Sequence, residues 1–139
     1  VADVLRQRPQ TILIDHGDTG TCPPGIGALA SRSTAIGGSA LCQAAEQFRE
    51  KARRCAARLL QAEPDHVDLT EEGFEIRHPV RHALAWHQLA RIAHADSEII
   101  AEFGEGLRTR LIYEPEGEAW ASGCCIATVS KLATTRATT

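Results

Sequence analysis

Residues 12–61, ILIDHGDTGTCPPGIGALASRSTAIGGSALCQAAEQFREKARRCAARLLQ, read as a strand, a glycine-rich loop and a long helix. Ile12, Leu13 and Ile14 are a short apolar run of strand type, and the spacing predicts a strand over 11–15. Asp15, His16 and Asp18 stand at its carboxyl end, either as polar groups near a ligand cleft or as turn chemistry, with Asp18 accepting backbone N–H bonds. The loop carries Gly20, Pro23, Pro24, Gly25 and Gly27. It then reaches Ala30, Ser31, Arg32, Ser33 and Thr34, where Ser31, Ser33 or Thr34 can cap a helix. Small residues, hydroxyls and an arginine at a helix start suit an anion, most naturally a phosphate. The N–H groups of a first helical turn point outward, and the helix dipole favours negative charge there. The glycines do not match G-x-x-x-x-G-K-S/T, and Gly25-Ile26-Gly27 lacks the third glycine of a dinucleotide fingerprint.

Beyond that start, Leu41, Ala44, Ala45, Phe48, Ala52, Cys55, Leu59 and Leu60 recur at steps of three and four, which is one face of an amphipathic helix ending near Gln61. Glu46, Arg49, Glu50, Arg53 and Arg54 mark the solvated side, with Glu50 and Arg54 spaced as an i,i+4 ion pair. The alanines allow close approach to a sheet. This helix is read as scaffold.

The 139 residues suffice for one domain with a modest core. Aromatics are 4% of the chain, so that core must be built from Ala, Leu, Ile and Val. A net charge of −3 does not point to nucleic acid or an anionic membrane, and no apolar run reaches the roughly 20 residues of a membrane span. The chain has no methionine, and residues 1–5 have helical spacing with no cap in front, so it reads as a piece of a larger protein. Cys22, Cys42, Cys55, Cys124 and Cys125 are odd in number and form no C-x-x-C pair. Buried free thiols in a reducing cytoplasm fit better than disulfides or a zinc site.

In chain order, residues 1–7 are the end of a helix that Pro9 breaks. Pro64 closes the long helix region, and 66–69 with 73–77 predict a hairpin turned by Glu71-Glu72-Gly73. Residues 78–95 read as a helix with Leu84, Leu89, Ile92 and Ala93 on its apolar face. His82, His87 and His94 lack a carboxylate at ligand spacing and read as surface or half-buried histidines rather than metal ligands. Residues 97–106 read as a linker. Residues 107–113 and 121–129 alternate as strands, with a turn or loop at 114–120, and 130–139 is an irregular Thr- and Ala-rich tail.

His16-Gly17-Asp18-Thr19, then Ala30-Ser31-Arg32-Ser33-Thr34, then Gly37-Gly38 and an Ala-rich helix resemble the molybdopterin-binding large subunit of the molybdenum hydroxylases. That family includes xanthine dehydrogenase, aldehyde oxidase and aerobic carbon monoxide dehydrogenase, and the nearest resemblance is to the carbon monoxide dehydrogenase-like branch. It covers residues 1–129, which it implies are part of a molybdopterin-binding domain. It implies a molybdenum–molybdopterin cofactor, in the cytosine dinucleotide form. It also implies that Ala30, Ser31, Arg32, Ser33 and Thr34 run beside that cofactor's phosphates, with Arg32 able to offer a forked pair of donors. It implies a cytoplasmic oxidoreductase whose partners are the remainder of the large subunit and iron–sulfur and flavin subunits. The sequence departs from the family where Gly20 replaces a further acidic residue after Thr19. Glu105 between two glycines is a decoy, because the family's catalytic glutamate lies much further towards the C-terminus. No catalytic or metal-binding residue is therefore assigned, and the chain by itself is expected to be inactive.

The fold class expected is α+β, a mixed sheet of 11–15, 107–113 and 121–129 with the long helix across one face and a small hairpin at the side. Two functional readings remain open. One is a fragment of a molybdenum hydroxylase large subunit that supplies a cofactor phosphate-binding loop and scaffold. The other is a free-standing α/β binding or oligomerisation module without catalysis, whose exposed face meets a partner chain or a second copy.

Overall fold

Ala40, Ala44, Ala45, Ala52, Ala56 and Ala57 are all buried along one side of a 28-residue helix. In the computed structural model of the chain this helix is the axis on which everything else rests. The structure describes residues 1–18, 20, 33–77, 81–104, 106–114 and 125–130, the last of these as backbone. The chain begins with a short helix α1 (Ala2–Leu5), which ends at Arg6 in the left-handed region, and a 3-10 turn (Pro9–Thr11). The long helix α2 (Ser33–Leu60) follows, about 42 Å at 1.5 Å per residue. Strands β1 (Asp68–Leu69), β2 (Gly73–Ile76) and β3 (His82–Ala85), helices α3 (Trp86–Ala95) and α4 (Ser97–Phe103), and strands β4 (Arg108–Tyr113) and β5 (Cys125–Ser130) complete it. The class is α+β, as the sequence predicts.

Alanine matters in α2 because it adds no bulk at the contact and is the best helix former. The N-terminal half of α2 lies on the β4–β5 ribbon, where Ala40 and Ala44 meet Leu41, Leu111 and Tyr113. The C-terminal half carries Phe48, Ala52 and Cys55 into the main core with Leu5, Val67, Phe74, Trp86, Leu89, Ile99 and Leu107. There Trp86 stacks on Phe48 with centroids 6.3 Å apart and meets Phe74 edge-on at 4.7 Å. The three rings supply bulk that a core of alanines otherwise lacks. The buried indole Nε1 of Trp86 has no hydrogen-bond acceptor among the described residues.

The sheets differ from the expected single mixed sheet. β1-β2-β3 is one antiparallel sheet and β4-β5 another, and both lie against α2. Residues 12–15 form no strand, although Ile12 is extended at φ −90°, ψ 115°. Their apolar side chains meet no strand partner among the described residues. The expected hairpin is present as β1 and β2, but a third strand follows it. Residues 82–85, expected within a helix over 78–95, pair with β2 in the register Phe74↔Leu84 and Ile76↔His82. The helix starts only at Trp86, where the Gln88 Oε1 accepts from the Ala85 N–H at 3.0 Å. The expected linker after Asp96 is helix α4, whose Glu98 and Ile99 amides donate to Asp96 Oδ1 at 2.9 and 3.1 Å. An aspartate at that position is a strong start signal.

Glu75 would face solvent in a simple alternating strand, yet it is only 7% exposed. Arg81 closes over it with two hydrogen bonds at 3.0 and 3.2 Å, and Arg77 adds one at 3.1 Å. The hydrogen bonds from Arg81 first, then those from Arg77, hold its carboxyl below the usual carboxylate range against the opposing effect of burial. On α2, Glu50 pairs with Arg53 through two contacts at 3.0 Å, in place of the expected Arg54. Arg53 is drawn that way because its other nitrogen reaches the Pro64 carbonyl at 2.8 Å.

The expectation of buried thiols holds for Cys55 and fails for Cys42, which is exposed on the outer side of α2. Cys22, Cys124 and the Cys125 side chain lie outside the described residues. Burial pushes the Cys55 thiol up to about 11 from an ordinary value of 9. A raised thiol favours the neutral folded form, so its contribution to stability is complete below pH 9 and is lost as pH rises through about 11. Mass-mapped alkylation of the native chain near neutral pH is therefore expected to label Cys42 readily and leave Cys55 untouched until denaturant is added. Comparable labelling of both would contradict this core.

Candidate functional site

The first turn of α2 precedes the buried stretch of the helix. Ser33, Thr34 and Ala35 are exposed, Ile36 and Gly37 are half-buried, and Ala40 is the first fully buried residue. The first four amides of any helix have no intrahelical acceptor. No acidic residue sits in this first turn. Two hydroxyls, of Ser33 and Thr34, stand among those amides. The donor set is therefore amides and hydroxyls at the positive end of a 28-residue helix, with no carboxylate in its first turn. That chemistry fits a phosphate or diphosphate.

Of the residues singled out from sequence, Ser33 and Thr34 are found at that exposed turn. Ala30, Ser31 and Arg32 lie outside the described residues, as does Thr19. His16 and Asp18 are exposed. The Asp18 Oδ1 accepts from the Gly20 N–H at 2.8 Å, which is the turn chemistry considered for it. Glu105 lies outside the described residues. His82, His87 and His94 are exposed on β3 and α3, and no cluster of three His, Cys, Asp or Glu able to hold a metal occurs among the described residues. Among them, too, no helix is long and apolar enough to cross a membrane. An open cleft of about 660 Å³ lies elsewhere, between the N-terminal segment and the three-stranded sheet. It is lined by Gln7, Arg8, Thr70, Glu71 and Arg81 among others, and sequence spacing gave no sign of it. Its polar wall is internally matched, with Arg8 on Glu71 at 2.8 Å and Arg81 on Glu75 at 3.0 Å.

A long helix laid over antiparallel sheets, opening on an exposed first turn without an acidic residue, defines an α+β domain. The chain belongs to the molybdopterin cofactor-binding domain family, whose profile matches residues 1–138. It is 43% identical over 77 residues to subunit gamma of the 6-hydroxypseudooxynicotine dehydrogenase complex of Paenarthrobacter nicotinovorans, covering 55% of this chain and 10% of that protein. It is 35% identical over 77 residues to the carbon monoxide dehydrogenase large chain of Hydrogenophaga pseudoflava, again covering 55% and 10%. The large chain of that name from Afipia carboxidovorans is 33% identical over 66 residues, covering 48% of this chain and 8% of that protein. The carbon monoxide dehydrogenase-like resemblance carried by the HGDT and SRST motifs agrees with these relatives. The matches span a tenth or less of the relatives' length. No solved structure matches the chain at a significant level.

Proposed function

We infer that this chain is part of the large subunit of a molybdenum- and pterin-dependent oxidoreductase, where it supplies a phosphate-binding helix start and the scaffold behind it. The observation that carries this reading is the exposed, acid-free first turn of α2 in a chain of the molybdopterin-binding family. The amides of Ser33, Thr34 and Ala35 donate to the cofactor's phosphates, and the Ser33 and Thr34 hydroxyls add neutral donors. Ala30 and Ser31 allow the backbone close to the ligand, and Arg32 offers its fork to two phosphate oxygens. The cofactor form proposed is the cytosine dinucleotide, whose diphosphate matches such a donor set. When bound in the whole protein, that group supplies oxidation of a carbon centre or of carbon monoxide with water as oxygen source. Iron–sulfur and flavin subunits in the cytoplasm take the electrons. The residues of this chain hold and orient; none of them makes or breaks a bond.

The test uses the 139-residue chain itself, labelled with nitrogen-15 and titrated with cytidine diphosphate. Amide shifts are expected to concentrate at residues 30–36, with millimolar affinity because one helix start alone surrounds little of the ligand. Arg32→Ala is expected to weaken binding by roughly three- to tenfold, through loss of a charge-assisted pair. Shifts spread elsewhere, or none, would overturn the assignment of the site. Inorganic pyrophosphate binding as tightly as cytidine diphosphate would overturn the cytosine form.

A further inference from the structure

Two parts of this chain have no strand beside them among the described residues, one an apolar segment and the other an edge of β4. The first is the segment after the 3-10 turn, where Leu13 is 90% and Ile14 68% exposed and Asp15 is exposed beside them. The second is strand β4, which pairs with β5 and with no other strand among the described residues. Its residues alternate. Thr109, Leu111 and Tyr113 turn towards α2, while Arg108, Arg110 and Ile112 are exposed, Ile112 at 55%. An open strand edge is a template for another strand, and residues 12–15 have the composition of one.

We propose that residues 12–16 of one copy add antiparallel to the open edge of β4 in a second copy of this chain, reciprocally, to make a two-fold dimer. Register decides the match, because a slip by one residue exchanges the faces. With Leu13 opposite Ile112, Asp15 falls opposite Arg110 on the same outer face. On the α2 face Ile12 then falls opposite Tyr113 and Ile14 opposite Leu111. Apolar meets apolar on both faces, and the one acid in the segment meets a base. A slip by two residues would bring Asp15 to Arg108, but would lay Leu13 over Arg110 and Ile14 over Thr109. Every copy carries both the acid and the base, so a second copy can supply each half of the charge match. Reciprocal exchange makes the contact isologous and closed. This proposal concerns the chain by itself and does not rest on the cofactor reading.

Sedimentation of the chain over roughly 10 µM to 1 mM, a range that spans weak association, is expected to show a monomer–dimer equilibrium. Asp15→Arg and Arg110→Asp are each expected to raise the dissociation constant at least roughly threefold at low salt, by placing like charges opposite. The two together are expected to restore it. The Leu13→Pro, Ile14→Pro double variant removes the ladder donor whichever of the two amides faces β4 and is expected to abolish the dimer. It should leave the far-UV spectrum and melting of the monomer unchanged, because this exposed segment is not part of either apolar core cluster. A chain that stays monomeric throughout, a dimer that survives the double proline variant, or a charge swap that fails to restore association would each overturn the proposal. So would hydrogen-exchange protection of residues 12–16 in a pure monomer, which would show the segment paired within one chain.

Discussion

A Phe74→Ala chain is expected to lose about 3–5 kcal/mol of folding stability, the range found when a buried phenylalanine is truncated. Phe74 is 1% exposed at the point where the three-stranded sheet meets the helices. Its ring edge faces Trp86 at 4.7 Å with an interplanar angle of 68°. Trp86 in turn stacks on Phe48 of α2. Removing the ring leaves a cavity lined by backbone-anchored neighbours. The surrounding alanines cannot move in to fill it, because Ala52, Ala56 and Ala57 are fixed by the helix and carry nothing beyond Cβ. The loss is a large share of the about 5–15 kcal/mol by which a domain is usually stable. Urea unfolding followed by far-UV circular dichroism reads it as a lower midpoint at unchanged slope. Leu13→Ala, at a 90% exposed site, is the control and is expected to be neutral in the monomer. A midpoint shift for Phe74→Ala no larger than that of the control would show that the three rings are not the centre of the core.

The long helix was legible in the sequence because its apolar face repeats at a helical period for more than five turns, and local period is what sequence reports well. Ala44, Ala45, Phe48, Ala52 and Cys55 are buried as expected, and Leu41 and Leu59 are half-buried at the margins. The hairpin was legible for the same reason at period two. What failed was whatever depends on partners distant in sequence. Ile12, Leu13 and Ile14 have strand composition, but a strand exists only beside another, and no described strand lies beside them. Residues 82–85 were absorbed into the helix that follows, because Leu84 happens to fit its periodicity. Only pairing with Phe74 and Ile76 makes them a strand. Helix α4 was missed although its signal was local, an aspartate one residue before Ser97 that caps two amides. The candidate site was legible only in outline. Hydroxyls and small residues at a helix start also describe an ordinary cap, and resemblance to a family of phosphate-bearing cofactor proteins separated the two. Glu75 shows the converse, a charged residue buried in a strand, which no alternation rule foresees because its two arginines arrive from positions 77 and 81.

Gly73→Ala is expected to cost about 3 kcal/mol or more, as overpacking against parts that cannot move adds to backbone strain. Gly73 opens β2 at φ +154° and lies opposite Ala85 of β3. A Cβ there would fall on the Leu84 carbonyl oxygen and stand 2.8 Å from the Ala85 Cα and 3.0 Å from its carbonyl carbon. All three are backbone atoms, so no rotamer change relieves the clash and the strands must part. The same turn holds the Gly73 carbonyl on the Thr70 N–H at 2.7 Å and the Glu72 carbonyl on the Trp86 N–H at 3.1 Å. Parting β2 from β3 therefore disturbs the start of α3 and the seat of Trp86 as well. Hydrogen exchange is expected to accelerate at Ala83, Leu84 and Ala85 before it does in α2. Gly38→Ala supplies the contrast. Gly38 lies within α2 with nothing within 4 Å of an added Cβ. There the methyl restricts the unfolded chain and improves helix propensity, for an expected gain of about 0.5–1 kcal/mol. Opposite signs at the two glycines would tie the penalty to the close approach of β2 and β3. A Gly73→Ala chain as stable as the parent would mean that these strands are not held at the observed spacing.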